Sequence, residues 1–158
     1  MKNTLTVDSP LGKLCISATD GAVTGLSFGG GGDDDFPCPL LERAALELRE
    51  YFAGERSEFD LPLAPEGTDF QKKVWLALCG IPFGETRSYG EIAAAVGNPR
   101  ASRAVGGANN KNPIAILIPC HRVIGADGTL VGYGGGLPIK RALLALEQTN
   151  KKSASAGN

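Results

Sequence analysis

The sequence predicts an α+β protein in two parts, a small α/β lobe at the amino terminus packed on a mostly helical carboxy-terminal domain. Three observations lead there. Polar and apolar residues alternate through the first 28 positions, apolar spacing turns helical after position 67, and a proline-bearing stretch, 61–67, separates the two patterns. A chain of 158 residues and 16.4 kDa suits one compact domain or two small lobes sharing a core. The expected division is 1–66 and 67–150, with 151–158 as a disordered tail.

In the first part, Thr4 to Val7, Lys13 to Thr19 and Ala22 to Phe28 read as short strands, with turns at Ser9-Pro10 and Asp20-Gly21. Gly29 to Gly32, followed by Asp33 to Asp35, offers nothing apolar to bury and reads as a mobile loop. Leu40, Leu41, Ala44, Ala45, Leu48 and Phe52 then fall at helical spacing over Pro39 to Phe52, and Gly54 supplies a stop.

Beyond the linker carrying Pro62 and Pro65, Thr68 caps a helix through Phe70, Val74, Trp75 and Leu78. Ser88 and Glu91 form a capping box opening a short helix over Ile92, Ala93 and Val96. Gly97-Asn98-Pro99 breaks it, and Arg100 to Ala108 reads as the next helix, so the pair has the form of a helix-turn-helix. Ile114 to Ile118 is a buried, strand-like run leading into Pro119-Cys120-His121-Arg122. Gly125 to Gly136 is too glycine-rich to be regular. Pro138 suits the first turn of a last helix, with Leu143, Leu144 and Leu146 inward and Glu147 at its end.

No apolar run approaches the roughly 18 residues of a membrane span. Met1 to Pro10 lacks the basic flank and apolar stretch of a secretory signal, so a cytoplasmic protein is expected. Cys15, Cys38, Cys79 and Cys120 are scattered and read as free thiols rather than two disulfides. The net charge of -1 conceals an asymmetry: residues 1–66 hold 12 acids against 5 bases, and residues 67–158 hold 5 against 11. No acid occurs from Gly97 to Ala126, where Arg100, Arg103, Lys111 and Arg122 all fall. That stretch can hold phosphates, or it can be an ordinary solvated face.

Cys120 adjoins His121, the one histidine of the chain. A free thiol has a pKa near 8.5 and only its thiolate is nucleophilic, so a nearby base matters. In a regular strand the two side chains point to opposite faces; a partnership needs a turn, which Pro119 favours, or a bridging water. A buried cysteine beside a surface histidine is the plainer alternative. Glu147 could orient the imidazole in a nucleophile, base and orienter series. A metal site is disfavoured, because the remaining cysteines show no paired spacing and there is no second histidine.

Taken together, Pro119-Cys120-His121-Arg122-Val123, preceded by Arg103-Ala104-Val105-Gly106-Gly107-Ala108 and Asn112-Pro113, resemble the methylated-DNA-protein-cysteine methyltransferase family. Phe70-Gln71-Lys72-Lys73-Val74-Trp75, Ile81-Pro82-Phe83-Gly84 and Gly132-Tyr133-Gly134-Gly135-Gly136-Leu137 resemble it too, in register from about Thr68 to Glu147. The resemblance implies an RNase H-like three-stranded sheet with a helix in the first lobe, and a winged-helix-like second domain. It implies single-turnover transfer of an alkyl group from O6 of a flipped guanine in double-stranded DNA to Cys120, by a monomer without cofactor. His121 and Glu147 would form a water-linked proton relay, Asn112 would brace the turn, and Tyr89 would donate to the guanine. The carbonyls of Cys120 and Val123 would accept from the exocyclic amine, with Tyr133 and the Gly134 amide also at the base. Arg103 would enter the base stack, with Ala101, Ala104 and Gly107 allowing close approach to the minor groove beside Arg100.

The chain departs from the family pattern where Gly134 stands in place of a frequent serine, so only a backbone contact carries over. The histidines of the zinc site that some relatives carry in the first lobe are absent. Two other readings stay open: a module that binds alkylated guanine without chemistry, and a cysteine hydrolase using Cys120 and His121.

Overall fold

Alternation of inward and outward residues produces a three-stranded antiparallel sheet, β1 (Lys2–Ser9), β2 (Gly12–Thr19) and β3 (Ala22–Phe28), in the order β1-β2-β3. The computed structural model describes residues 2–29, 35–130, 133 and 136–156. Along β2, Leu14, Ile16 and Ala18 are buried while the residues between them are partly exposed, the period of two that a one-sided sheet requires. Asp20 and Gly21 both take positive φ, 51° and 82°, the turn whose twist matches that of the strands it joins.

Helix α1 (Pro39–Phe52) opens with Pro39, whose missing N–H costs nothing there, and lays Leu41, Ala44, Ala45, Leu48 and Tyr51 on the sheet. Both sheet edges are covered. Thr4 and Phe36 exchange backbone hydrogen bonds of 3.0 and 2.9 Å on one side. On the other, Val23 donates to the Pro62 carbonyl and accepts from Ala64, each at 2.8 Å. The proline-bearing stretch is therefore partly an added strand edge rather than a free linker, because Pro62 contributes the carbonyl it still has. Asp35 departs from the mobile loop expected of it: its Oδ1 accepts from the Thr6 amide and hydroxyl, both at 3.0 Å. The rest of that glycine and aspartate run, 30–34, lies outside the described residues.

Residues Met1–Glu66 form one compact unit and Gly67–Asn158 a second. In the second, Thr68 and Gln71 close a reciprocal capping box on α2 (Asp69–Cys79), and Ser88 and Glu91 do the same for α3 (Tyr89–Ala95). Helix α3 ends in a left-handed glycine: Gly97, at φ 82°, donates to Ala94, and Asn98 donates to Ala93. The Ala101 amide then bonds the Asn98 carbonyl, so α4 runs Ser102–Asn110. Arg100, expected on that helix, sits instead in the turn, since the bond closing the turn through Pro99 leaves it outside. The parallel pair β4 (Arg87–Ser88) and β5 (Val123–Ile124) was not apparent from the sequence, being two residues long on each side.

The last helix, α5 (Leu137–Ala156), also differs from expectation. It continues past Glu147 into residues expected as a tail, because nothing after Glu147 breaks a helix and Gln148 Nε2 is held by the Gly84 carbonyl at 2.6 Å. Its buried stripe is Lys140, Leu143 and Glu147, with Leu144 and Leu146 only half-buried.

Glu47 is the one charged side chain buried among the described residues of the first unit, accepting from the Asp60 amide at 2.8 Å and Arg43 Nε at 3.2 Å. Glu47→Ala strands that amide and is expected to destabilise the first unit by about 2 kcal/mol in urea unfolding. An unchanged midpoint would show that water replaces the carboxylate without loss.

Candidate active site

The residues before Cys120 do not form the expected strand. Leu117 donates to Ala115 at 2.8 Å around Ile116, which has φ 70°, and Cys120 donates to Ile118 at 2.8 Å around Pro119, at φ -79° and ψ 62°. These are two three-residue turns in succession, the first with a positive φ that is rare for a β-branched residue. The backbone bonds locally instead of into a ladder, and burial of Ile114, Ile116 and Ile118 sustains the strain. Asn112 spans the loop, its Oδ1 accepting from the Ile114 amide at 2.9 Å and its Nδ2 donating to the Ile118 carbonyl at 2.8 Å.

The chain then enters a 3₁₀ turn, Cys120–Arg122, which supplies the break that separates Cys120 and His121 from strand geometry. Cys120 is 4% exposed. Burial pushes its thiol pKa up, while hydrogen bonds from Asn112 and Tyr133 and the Lys140 charge work in the opposite direction. The resting group is thus a thiol and not a preformed thiolate. All four cysteines are free.

His121 is wholly buried rather than on the surface, and its Nε2 lies 2.7 Å from Glu147 Oε2. Burial lowers its pKa despite that partner, with Arg122 and Lys140 adding to the lowering. Burial works to raise the Glu147 carboxyl, but the hydrogen bonds and charges of His121 and Arg122 hold it at about 2. Glu147 is therefore an anion, and the neutral imidazole donates to it from Nε2. His121 Nδ1, left unprotonated, has no hydrogen-bond partner among the described residues. Chemically this is a base with its accepting nitrogen free and its other nitrogen anchored.

Arg122 does not contribute to a phosphate-binding face as its charge suggested. It is 7% exposed, with Nε and Nη2 bonded to the two Glu147 oxygens at 2.8 and 3.0 Å and Nη1 to the Ile81 carbonyl at 2.7 Å. Arg100, Arg103 and Lys111 remain exposed. On α4, Arg103, Ala104 and Gly107 face outward, while Val105, Ala108 and Asn109 are buried; Ala101 is half-buried.

Tyr89 begins α3, and burial followed by the Cys120 charge raises its pKa, so it stays protonated as a donor near the thiol. The Val123 carbonyl accepts from Lys140 Nζ at 2.6 Å, and the Cys120 carbonyl from the Val123 amide and, at 3.3 Å, from Asn109 Nδ2. Cys120, His121, Glu147, Asn112, Tyr89, Tyr133 and Val123 thus come together; Gly134 lies outside the described residues. Sequence reasoning missed Lys140, Asn109 and the inward side of Arg122. One signal was available, since Lys140, Leu143 and Glu147 share a helical face. Among the described residues no His, Cys, Asp and Glu cluster could hold a metal, and no helix is long and apolar enough to cross a membrane.

Glu147 contributes stability fully present above the ordinary glutamate pKa and lost as pH falls toward its folded value of about 2. Glu147→Gln leaves Arg122 buried without its counter-ion and is expected to cost about 3–5 kcal/mol at pH 7. The gap between the two proteins in urea unfolding should shrink steadily as pH drops below 4; a gap that does not vary with pH would refute the assignment.

The family model for the 6-O-methylguanine DNA methyltransferase DNA binding domain matches residues 69–149, and that for its ribonuclease-like domain matches residues 1–65. The methylated-DNA--protein-cysteine methyltransferase of Methanosarcina barkeri is 53% identical, covering 91% of this chain and 96% of the relative. That of Mycobacterium tuberculosis is 52% identical over 91% of each chain. The crystal structure of the M. tuberculosis O6-methylguanine methyltransferase superposes with a TM-score of 0.86 at 51% identity, covering 95% of this chain and 94% of that one. The M. tuberculosis OGT structure in complex with DNA gives 0.85 at 53% identity over 92% of each. The three-stranded sheet with its helix is accordingly a ribonuclease-like domain, and the chain belongs to the methylated-DNA-protein-cysteine methyltransferase family.

Proposed function

We propose that Cys120 is the acceptor in this family's DNA repair reaction, and that the alkyl group comes from O6 of a guanine turned out of double-stranded DNA. The observation that carries the reading is the buried His121, anchored through Nε2 to Glu147 and open at Nδ1, one residue from a buried thiol. A water between Cys120 and Nδ1 would take the thiol proton and pass one to the imidazole, whose new charge Glu147 stabilises. The sulfur then forms a bond to the alkyl carbon as the carbon–O6 bond breaks, and the electron pair leaves with guanine.

Tyr89 would donate to the departing base, and the Lys140 ammonium would favour the sulfur as it becomes anionic. The Val123 carbonyl, taking one donor from Lys140, would offer its second lone pair to the exocyclic amine, and the Cys120 carbonyl would do so by giving up its longer bond from Asn109. Tyr133 and the Gly134 amide would complete the contacts. The thioether product has no thiol exchange to reverse it, so each molecule acts once. All these groups belong to one unit of one chain, which favours a monomer, and a reducing cytoplasm would keep the thiol available.

The outward face of α4 suits a duplex. Gly107 would meet nothing within 4 Å if it carried a Cβ, so the fold does not call for glycine there, although glycine in a helix costs about 1 kcal/mol. Close approach by something outside the protein explains it, and small Ala104 beside exposed Arg103 fits a helix pressed on a groove with an arginine entering the base stack. Ala101 caps the same helix, and exposed Arg100 would reach the duplex from the turn before it.

Intact-mass measurement after incubation with duplex carrying O6-methylguanine is expected to add one methyl group to the peptide containing Cys120, and none to Cys120→Ser. Binding without any mass gain would leave only a recognition module. Separately, Gly107→Leu should fold normally yet weaken duplex binding about tenfold, and Arg103→Ala should slow transfer from duplex about tenfold or more, equivalent to ~1.4 kcal/mol, while sparing transfer from the free base. Equal slowing with both substrates would end the intercalating role.

A further inference from the structure

Arg122 sits inside the relay rather than on the DNA face. Its Nε and Nη2 occupy both Glu147 oxygens, its Nη1 holds the Ile81 carbonyl, and its guanidinium lies 5.8 Å from the Phe83 ring centroid. Glu147 Oε2 is consequently shared by Arg122 Nη2 and His121 Nε2, while Oε1 takes Arg122 Nε and the Gly84 amide. A carboxylate already matched by a guanidinium in this bidentate way favours an imidazolium less than an otherwise unpaired carboxylate would. We infer that Arg122 is a positioning residue of the relay: by neutralising and fixing Glu147 it keeps His121 at rest as a neutral imidazole, protonated at Nε2, with Nδ1 open for the Cys120 proton. This rests on the reading of Cys120 as acceptor and His121 as its base.

The alternative, that Arg122 merely stabilises the fold, is weak on energetic grounds, since a buried ion pair roughly breaks even against apolar packing. The groups facing His121 are Glu147 and Lys140 from α5 and Arg122 from its own turn; Cys79, at the end of α2, faces Arg122 as well. Of these, only Glu147 favours the charged imidazole. Burial, Arg122 and Lys140 oppose it. Removing the guanidinium therefore leaves a buried carboxylate with His121 as its main counter-ion, and the imidazole pKa must rise.

Because His121 is the one histidine, its ring signals in nitrogen-15 NMR are unambiguous. The unalkylated wild-type protein is expected to show the neutral Nε2–H tautomer at neutral pH. Arg122→Met should raise the His121 titration by about one pH unit or more. The acid limb of the methyl-transfer rate should move up by the same amount, with most of the rate kept on the high-pH plateau. Arg122→Lys, which keeps the charge but loses the fork, should shift both less. An imidazolium in the wild type at neutral pH overturns the inference, and so does an unmoved titration in both variants with the rate lowered equally at every pH. Should Arg122→Met not fold, the wild-type spectrum and Arg122→Lys still decide. Failure of the wild type to methylate Cys120 would refute the acceptor reading instead, and the titration of His121 is measured without any transfer.

Discussion

The Glu147 carboxylate, on a helix that begins beyond the glycine-rich stretch, gathers donors from two other stretches of chain: the imidazole and guanidinium of the 3₁₀ turn and the Gly84 amide of the loop after α2. Arg122 extends the same network to the Ile81 carbonyl. A buried charge is tolerated only when it is paired and its lone pairs are used, and Glu147 meets both conditions. The position of α5 and the orientation of His121 are thereby one structural fact. Displacing the helix would free the imidazole, and losing the imidazole would leave the carboxylate short of a donor.

Around that anchor the acceptor is presented by a loop that stores strain. Ile116 at positive φ and two consecutive tight turns carry Cys120 out of any sheet, and Asn112 bonds both ends of the loop. The thiol is nearly sealed and neutral, as is the imidazole beside it. Two neutral groups in a low-dielectric site cost less to bury than a thiolate and imidazolium. In the proposed reaction, charge would develop only when a substrate is present to use it, with Lys140 and Tyr89 near enough to Cys120 to favour it. This arrangement also suits a protein that reacts once, because a thiol kept neutral and covered resists oxidation until needed.

Helix α4 links an exposed face to the Cys120 loop. Its outward face offers Arg103, Ala104 and Gly107, and its inward face reaches the acceptor through Asn109, whose Nδ2 bonds the Cys120 carbonyl. Trp75 fixes the same helix by donating to the Ala108 carbonyl at 2.8 Å. The exposed side of α4 and the Cys120 loop are therefore held by adjacent residues of one short element, which limits how far either can move without the other.

What could be read directly from the sequence was local. The period of two in β2, the capping boxes of Thr68 with Gln71 and Ser88 with Glu91, the Gly97 stop and the break at Pro119 all depend on residues within a few positions of one another, and each element followed. The motif around Cys120 likewise pointed to the family without coordinates. Three things did not: the turns that replace a strand at 114–118, the continuation of α5 past Glu147, and the burial of Arg122 and Lys140. An arginine or lysine ordinarily lies in water, and only a partner far along the chain reverses that preference. Arg122 meets Glu147 25 residues away and Lys140 meets Val123 17 residues away. Sequence by itself determined which groups could do the chemistry; the tertiary structure decided which charges are buried and which nitrogen of His121 is free, because those depend on long-range pairing in a medium that excludes water.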